Sequence, residues 1–181
     1  LTKFDLLRLE NEIGGPNSGA LGRLLIALVN RTTPDQSADF AEKVQTASET
    51  AAKLKLRIQT LFDIFDEYLR NERDGAELTV YGQQQRLTPA SRTASNWTNV
   101  EIVWDETESV FREWLSELKK IHQALEDLGE TDDDLAEISD ILNELTRNID
   151  EAKSLLEELI MKPKPDYIYW LEITAVQNYL S

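Results

Sequence analysis

The chain has 181 residues, 41% hydrophobic and 29% charged, a balance that suits one folded domain with a sizeable core and argues against a disordered chain. With no cysteine it holds no disulfide, thiolate zinc site or Cys-ligated cluster, and its single histidine, His122, excludes multi-histidine metal sites. A net charge of −15 repels phosphate backbones as a whole, so simple electrostatic binding of duplex DNA is not expected.

From the start of the chain, two short apolar pieces come first, Thr2 to Ile13 and Gly19 to Asn30, the second containing "ALGRLLIALV". "GGPNSG" separates them as a turn. Leu1 to Arg31 carries four bases against three acids, and these first residues do not read as a signal peptide. A first long helix follows, with Thr33 as its cap and Pro34 in its first turn. Its apolar residues, from Phe40 and Val44 to Phe65 and Tyr68, alternate at spacings of four and three, which draws one continuous seam along the helix.

Glu72 to Ala94 resists this pattern. "ELTVY" and "QRLT" within it are compatible with a small β-hairpin turning at Gly82 to Gln84. The segment is long for a connection, and long connections in compact domains are often functional. Arg86 and Arg92 lie here with Gln83, Gln84 and Gln85, and Arg70 and Arg73 flank its start. Arginine and glutamine suit phosphate and base contacts, so Arg70, Arg73, Arg86, Arg92 and Gln84 are the candidate nucleic-acid contacts; a merely solvated loop is the competing reading.

A second long helix begins with Ser95 or Asn96 as cap. Its seam runs Trp97, Val100, Trp104, Thr107, Phe111, Trp114 and on to Leu128. "NVEIVWDE" alternates like a strand when taken alone, but the heptad passes straight through it, so helix is expected. Gly129 ends this helix. Thr131, followed by three aspartates, opens a third, whose seam runs from Leu135 to Leu159 before Pro163 stops it. Glu130 to Leu159 holds eleven acids against two bases. The short break between the second and third helices makes them antiparallel neighbours. Each long helix is expected to span about 45–55 Å.

"PKPDYIYWLEI" differs from everything before it. Its prolines forbid a continuing helix, and five of the seven residues from Tyr167 to Ile173 are β-branched or aromatic. This is a strand, and the sequence leads us to expect its partner largely outside these residues.

Motifs that would carry enzymatic chemistry do not hold up. "GGPNSGALG" lacks the Lys-Ser/Thr ending and the preceding strand of a phosphate loop. "WDETE" falls mid-helix, not at the end of a parallel strand. The di-iron pattern needs Glu-x-x-His, and Lys119 stands three residues before His122. No apolar run reaches the ~18 residues of a membrane span, and a cytoplasmic setting is the expectation.

"PDYIYWLEI" resembles the segment that closes the arch domain of DinG-type, XPD-like DNA helicases, in which a strand of this form leads back into the first motor domain. "ALGRLLIAL" resembles the helical stretch after that family's DEAH box, and "QQQRLTP" with the following Trp97 is similar to the middle of such arches. The resemblance implies a non-catalytic accessory domain. The ATPase loop, DEAH acids, arginine finger and cluster cysteines have no counterpart here, so ATP and magnesium would bind the missing motor domains and this chain would need no cofactor. Its implied partners are those motor domains and single-stranded DNA, in a parent enzyme that acts in DNA repair. Tyr167, Tyr169 and Trp170 would form the junction to the motor.

The expected fold is mainly α: an antiparallel bundle of three long helices, two shorter N-terminal helices, a long loop or small hairpin, and a C-terminal strand. The expected domain is 1–166, containing the 72–94 loop, with 167–181 returning to the motor. The rival reading is a free-standing acidic helical scaffold that binds protein partners. If the two N-terminal pieces act as one broken helix, Leu1, the 72–94 loop and Tyr167 gather at one pole, with Thr33 and Glu130 at the other.

Overall fold

The computed structural model describes residues 1–29, 31–73, 82–129 and 133–173. Three long helices dominate: α3 (Pro34–Glu72), α5 (Ser95–Asp127) and α6 (Asp133–Ile160), preceded by α1 (Lys3–Ile13) and α2 (Gly19–Leu28). Two strands, β1 (Gln83–Leu87) and β2 (Tyr169–Ile173), and the single-turn helix α4 (Pro89–Arg92) complete the described fold. At 39, 33 and 28 residues, the long helices span about 58, 50 and 42 Å.

The heptad seams become the core. Trp97, Trp104, Trp114, Phe111 and Phe40 are wholly or almost wholly buried, as are Val44, Leu54 and Leu61 of α3 and Leu142 and Ile149 of α6. Each helix thus buries its apolar stripe against its neighbours and turns its acids to water, which also explains how so negative a chain folds. Thr107 sits fully buried on the seam because its hydroxyl donates to the Val103 carbonyl at 2.7 Å.

Contacts between helices fix their directions. Arg57 meets Glu106 at 2.6 Å and Lys53 meets Glu113 at 3.9 Å, so α3 and α5 run antiparallel. Lys153 of α6 meets Glu108 of α5 at 3.2 Å, and Gly129, at φ 81°, stands just past the end of α5. Lys3 faces Asp63 and Glu10 faces Lys55, both at 3.8 Å, so α1 descends α3 from its C-terminal end. Helix α2 continues the same way, with Arg23 and Arg31 reaching Glu137 and Asp134 near the start of α6.

"GGPNSG" therefore offsets the chain without reversing it. The Gly14 N–H donates to the Glu10 carbonyl at 2.9 Å, closing α1, and Gly15 bridges Ser18. At Gly14, φ is +73° and a Cβ would stand 2.2 Å from the Ser18 carbonyl oxygen, so no other residue fits.

Several local expectations are corrected. Helix α5 is capped by neither Ser95 nor Asn96: Ala94 takes the cap position without a side-chain bond, because the single turn α4, boxed by Thr88 and Ser91, already sets the entry angle. Gln83 and Gln84 do not turn a hairpin; they lie within β1. "ELTVY", Glu130 and Thr131 fall outside the described residues. The expectation that β2 pairs largely beyond this chain is also corrected. Antiparallel β1 takes one of its edges over five residues, from Gln83 opposite Ile173 to Leu87 opposite Tyr169. A strand that brings its own apolar face needs a nearby edge, and β1 sits beside it once α3 and α6 end at the same pole.

Candidate nucleic-acid interface

The two-stranded sheet is what separates the candidate residues from the bundle. Side chains alternate across a strand. In β1 and β2 the bundle-facing set is Gln83, Gln85, Leu87, Tyr169, Leu171 and Ile173, and Leu87 and Leu171 are buried. The opposite face carries Gln84 and Arg86 from β1 and Trp170 and Glu172 from β2, all exposed. Arg86 stands directly across from Trp170, which is 51% exposed. Gln84 stands across from Glu172 and donates to its Oε2 at 3.0 Å.

The sequence-predicted contacts divide into two groups. Arg86 and Gln84 share the outer sheet face, and Arg70 is exposed in the last turn of α3. Arg73 and Arg92 are held by the fold. Arg73 donates through Nη1 to the side-chain oxygen of Gln83, whose Nε2 in turn donates to the Leu69 carbonyl at 3.1 Å, closing the end of α3 onto β1.

Arg92 caps α6. Its Nη1 donates to the Leu159 carbonyl and, at 3.3 Å, to that of Ile160. A guanidinium at this end of a helix satisfies orphan carbonyls and meets the negative pole of the dipole. Its Cζ lies 5.4 Å from the centre of the Trp97 ring and 5.5 Å from that of Tyr169, within reach of a cation–π contact to each. Burial pulls the Arg92 guanidinium below its ordinary pKa range, opposed by the nearby Tyr169.

The three junction residues also differ among themselves. Tyr167 is 62% exposed, with Lys164 Nζ 5.3 Å from its ring centre. Trp170 faces outward. Tyr169 faces inward, donating its hydroxyl to Glu158 and accepting from the Lys164 backbone N–H at 2.9 Å. The hydrogen bond from Lys164, then that from Tyr169, holds the Glu158 carboxyl below its usual range. Glu158 and Lys164, 2.6 Å apart, were not singled out from sequence. The only signal was a lysine set between two prolines just past an acidic helix end. Ile168, 59% exposed beside Tyr167, was likewise missed.

These groups lie at one pole. Asn96 Nδ2 donates to Glu72 Oε1 at 3.1 Å, joining the end of α3 to the start of α5. Leu1 and Thr2 line a groove together with Leu69, Trp170 and Glu172. At the far pole Gln36 and Phe40 lie beside Asp127 and Leu128. A cation beside the exposed Trp170 indole on the sheet's outer face, with exposed Tyr167 just before β2, can take a phosphate and stacked bases. Among the described residues no group of three or more His, Asp or Glu is placed to hold a metal, and no helix is long and apolar enough to cross a membrane. No protein-family model, curated protein or solved structure matches the chain.

Proposed function

We propose that this chain is an arch-like accessory domain of an ATP-dependent DNA helicase, guiding a single strand past the motor domains. The observation that carries this reading is the gathering of Leu1, Arg86 and Trp170 at one pole of a long rigid bundle. A domain inserted into a motor needs its two connections close together, and a strand guide needs its polar and aromatic contacts at that same end. In this reading Arg86 and Arg70 meet phosphates, Gln84 and Trp170 meet bases, and Tyr167 with Tyr169 marks the junction. Arg73 and Arg92 serve by holding the sheet at its angle. The chemistry of ATP and magnesium belongs to the motor domains, and the chain alone should show no ATPase activity, with or without DNA.

Binding of a labelled oligothymidylate, followed by fluorescence anisotropy, tests the assignment. At physiological salt the isolated chain should bind weakly or not at all, because its charge of −15 opposes the phosphates. At low salt Arg86→Ala should weaken binding several-fold, while Lys53→Ala, midway along α3 opposite Glu113, should change it little. Equal losses from both would remove the sheet as the contact.

A further inference from the structure

One side of β2 is occupied by β1. Among the described residues no strand pairs with the other. A groove of about 580 Å³ runs along that outer edge: it is lined by β2 residues of both faces, Tyr169 to Glu172, and by none of β1. Its floor is apolar, with Phe62, Phe65 and Leu69 from α3 and Leu156 and Leu159 from α6. Leu155, 55% exposed, and Trp170 stand on the rim, so apolar surface continues outward from the floor.

We infer that this groove is a docking site for an extended peptide strand that adds to the outer edge of β2, carries apolar side chains at alternate positions and has basic flanks. Three features select this occupant. An open strand edge offers a row of backbone donors and acceptors, which an extended backbone satisfies and a helix or a sugar-phosphate chain does not. An apolar floor beneath a strand edge accepts every second side chain of an added strand. Three carboxylates line the groove, Asp66, Glu158 and Glu172; Glu158 is paired with Lys164, and burial, then neighbouring Asp63, pushes the Asp66 carboxyl above its usual range against the pull of Lys3, Arg70 and Arg73. With a net charge of −15 behind it, this rim favours lysine or arginine beside the docked segment and opposes a second copy of the same acidic chain. The five residues of β2 match a strand of about five residues, roughly 17 Å. The groove shares Leu1 and Trp170 with the helicase reading, so the test rests on Leu155 and Asp66, which that reading does not use.

Selection of a random-peptide display library on the immobilised chain tests it. Enriched peptides should carry apolar residues at every second position with Lys or Arg outside them. Synthetic copies of these peptides should lose on the order of tenfold in affinity to Leu155→Arg, an exposed position whose change leaves the core intact. Asp66→Asn should weaken them less, and mainly at low salt. Scanning N-methylation along the peptide should abolish binding at alternate amides and spare those between. Absence of enrichment, affinity indifferent to Leu155→Arg, or loss without a two-residue period would each overturn the inference. So would dimerisation of the chain that is abolished by Leu155→Arg, since a second copy would then fill the groove. If a variant ending at Ile173 gained tenfold or more in peptide affinity, the chain's own 174–181 would be the occupant and the inference would also fall.

Discussion

At the scale of single residues, arginines that look alike in sequence do different work. Arg86 projects from an outer sheet face; Arg92 contacts two rings and the last carbonyls of α6. Arg92→Ala should therefore cost about 2–3 kcal/mol, from lost charge-assisted hydrogen bonds and two cation–π contacts. Arg86→Ala should stay within about 0.5 kcal/mol. Urea unfolding of both variants checks the contrast, and similar costs would contradict it. Local sequence could not separate the two, because the carbonyls that Arg92 caps lie 67 and 68 positions away.

His122 is a second case at this scale. Burial pushes its imidazole below the ordinary value of about 6.5, while Glu126 and a hydrogen bond to the Leu142 backbone oppose the shift. Between that lowered folded value and the unfolded one, the unfolded chain binds more protons, so stability falls as the pH drops through the window just below about 6.5. Denaturation midpoints taken down from neutral pH should show this loss, and His122→Gln should flatten it. An unchanged slope would place the titration elsewhere. His122 follows the buried seam residue Ile121 and is half-buried beside α6.

At the scale of elements, the long helices were legible because a period repeated over four or more heptads leaves little room for an alternative. The same rule carried "NVEIVWDE" correctly into a helix despite its strand-like alternation, since Trp97, Val100 and Trp104 all meet the core. Thr33 and Gln36 form the reciprocal cap at the start of α3, and Thr33→Ala should cost about 1 kcal/mol in unfolding measurements. Gly14→Ala should cost more, at least about 1–3 kcal/mol from the backbone conformation alone, and should loosen α1 from α3 in hydrogen exchange. Protection of α1 equal to that of the parent chain would contradict this role for the turn. The sheet was the least legible element. Each strand was visible by composition, but pairing depends on which edges the bundle brings together. Gln83 and Gln84 have no apolar pattern with which to announce a strand, and Gln83 earns its place through the ends of α3.

At the scale of the whole molecule, exposed aromatic surface sets the sheet pole apart from the far one. The far pole and the flank of α6 are strongly acidic, where Asp133 and Asp134 open the helix and Glu137 and Asp140 follow. The sheet pole carries Arg70, Arg86 and Lys164 beside exposed Tyr167, Ile168 and Trp170. The expectation that Leu1, the 72–94 loop and Tyr167 share a pole came from helix lengths and short breaks, which dictate direction provided that "GGPNSG" does not reverse the chain; in the fold Leu1 lines one groove with Trp170, three residues past Tyr167. That last condition rested on positive-φ glycines whose geometry only the folded turn reveals. A working end of this kind has meaning as part of a helicase only if motor sequence flanks it. The most direct measurement is the coding DNA on either side of this chain. The account predicts one reading frame carrying helicase motor motifs both before Leu1 and after Ser181; a frame with no motor motif on either side would contradict it and favour a free-standing acidic scaffold.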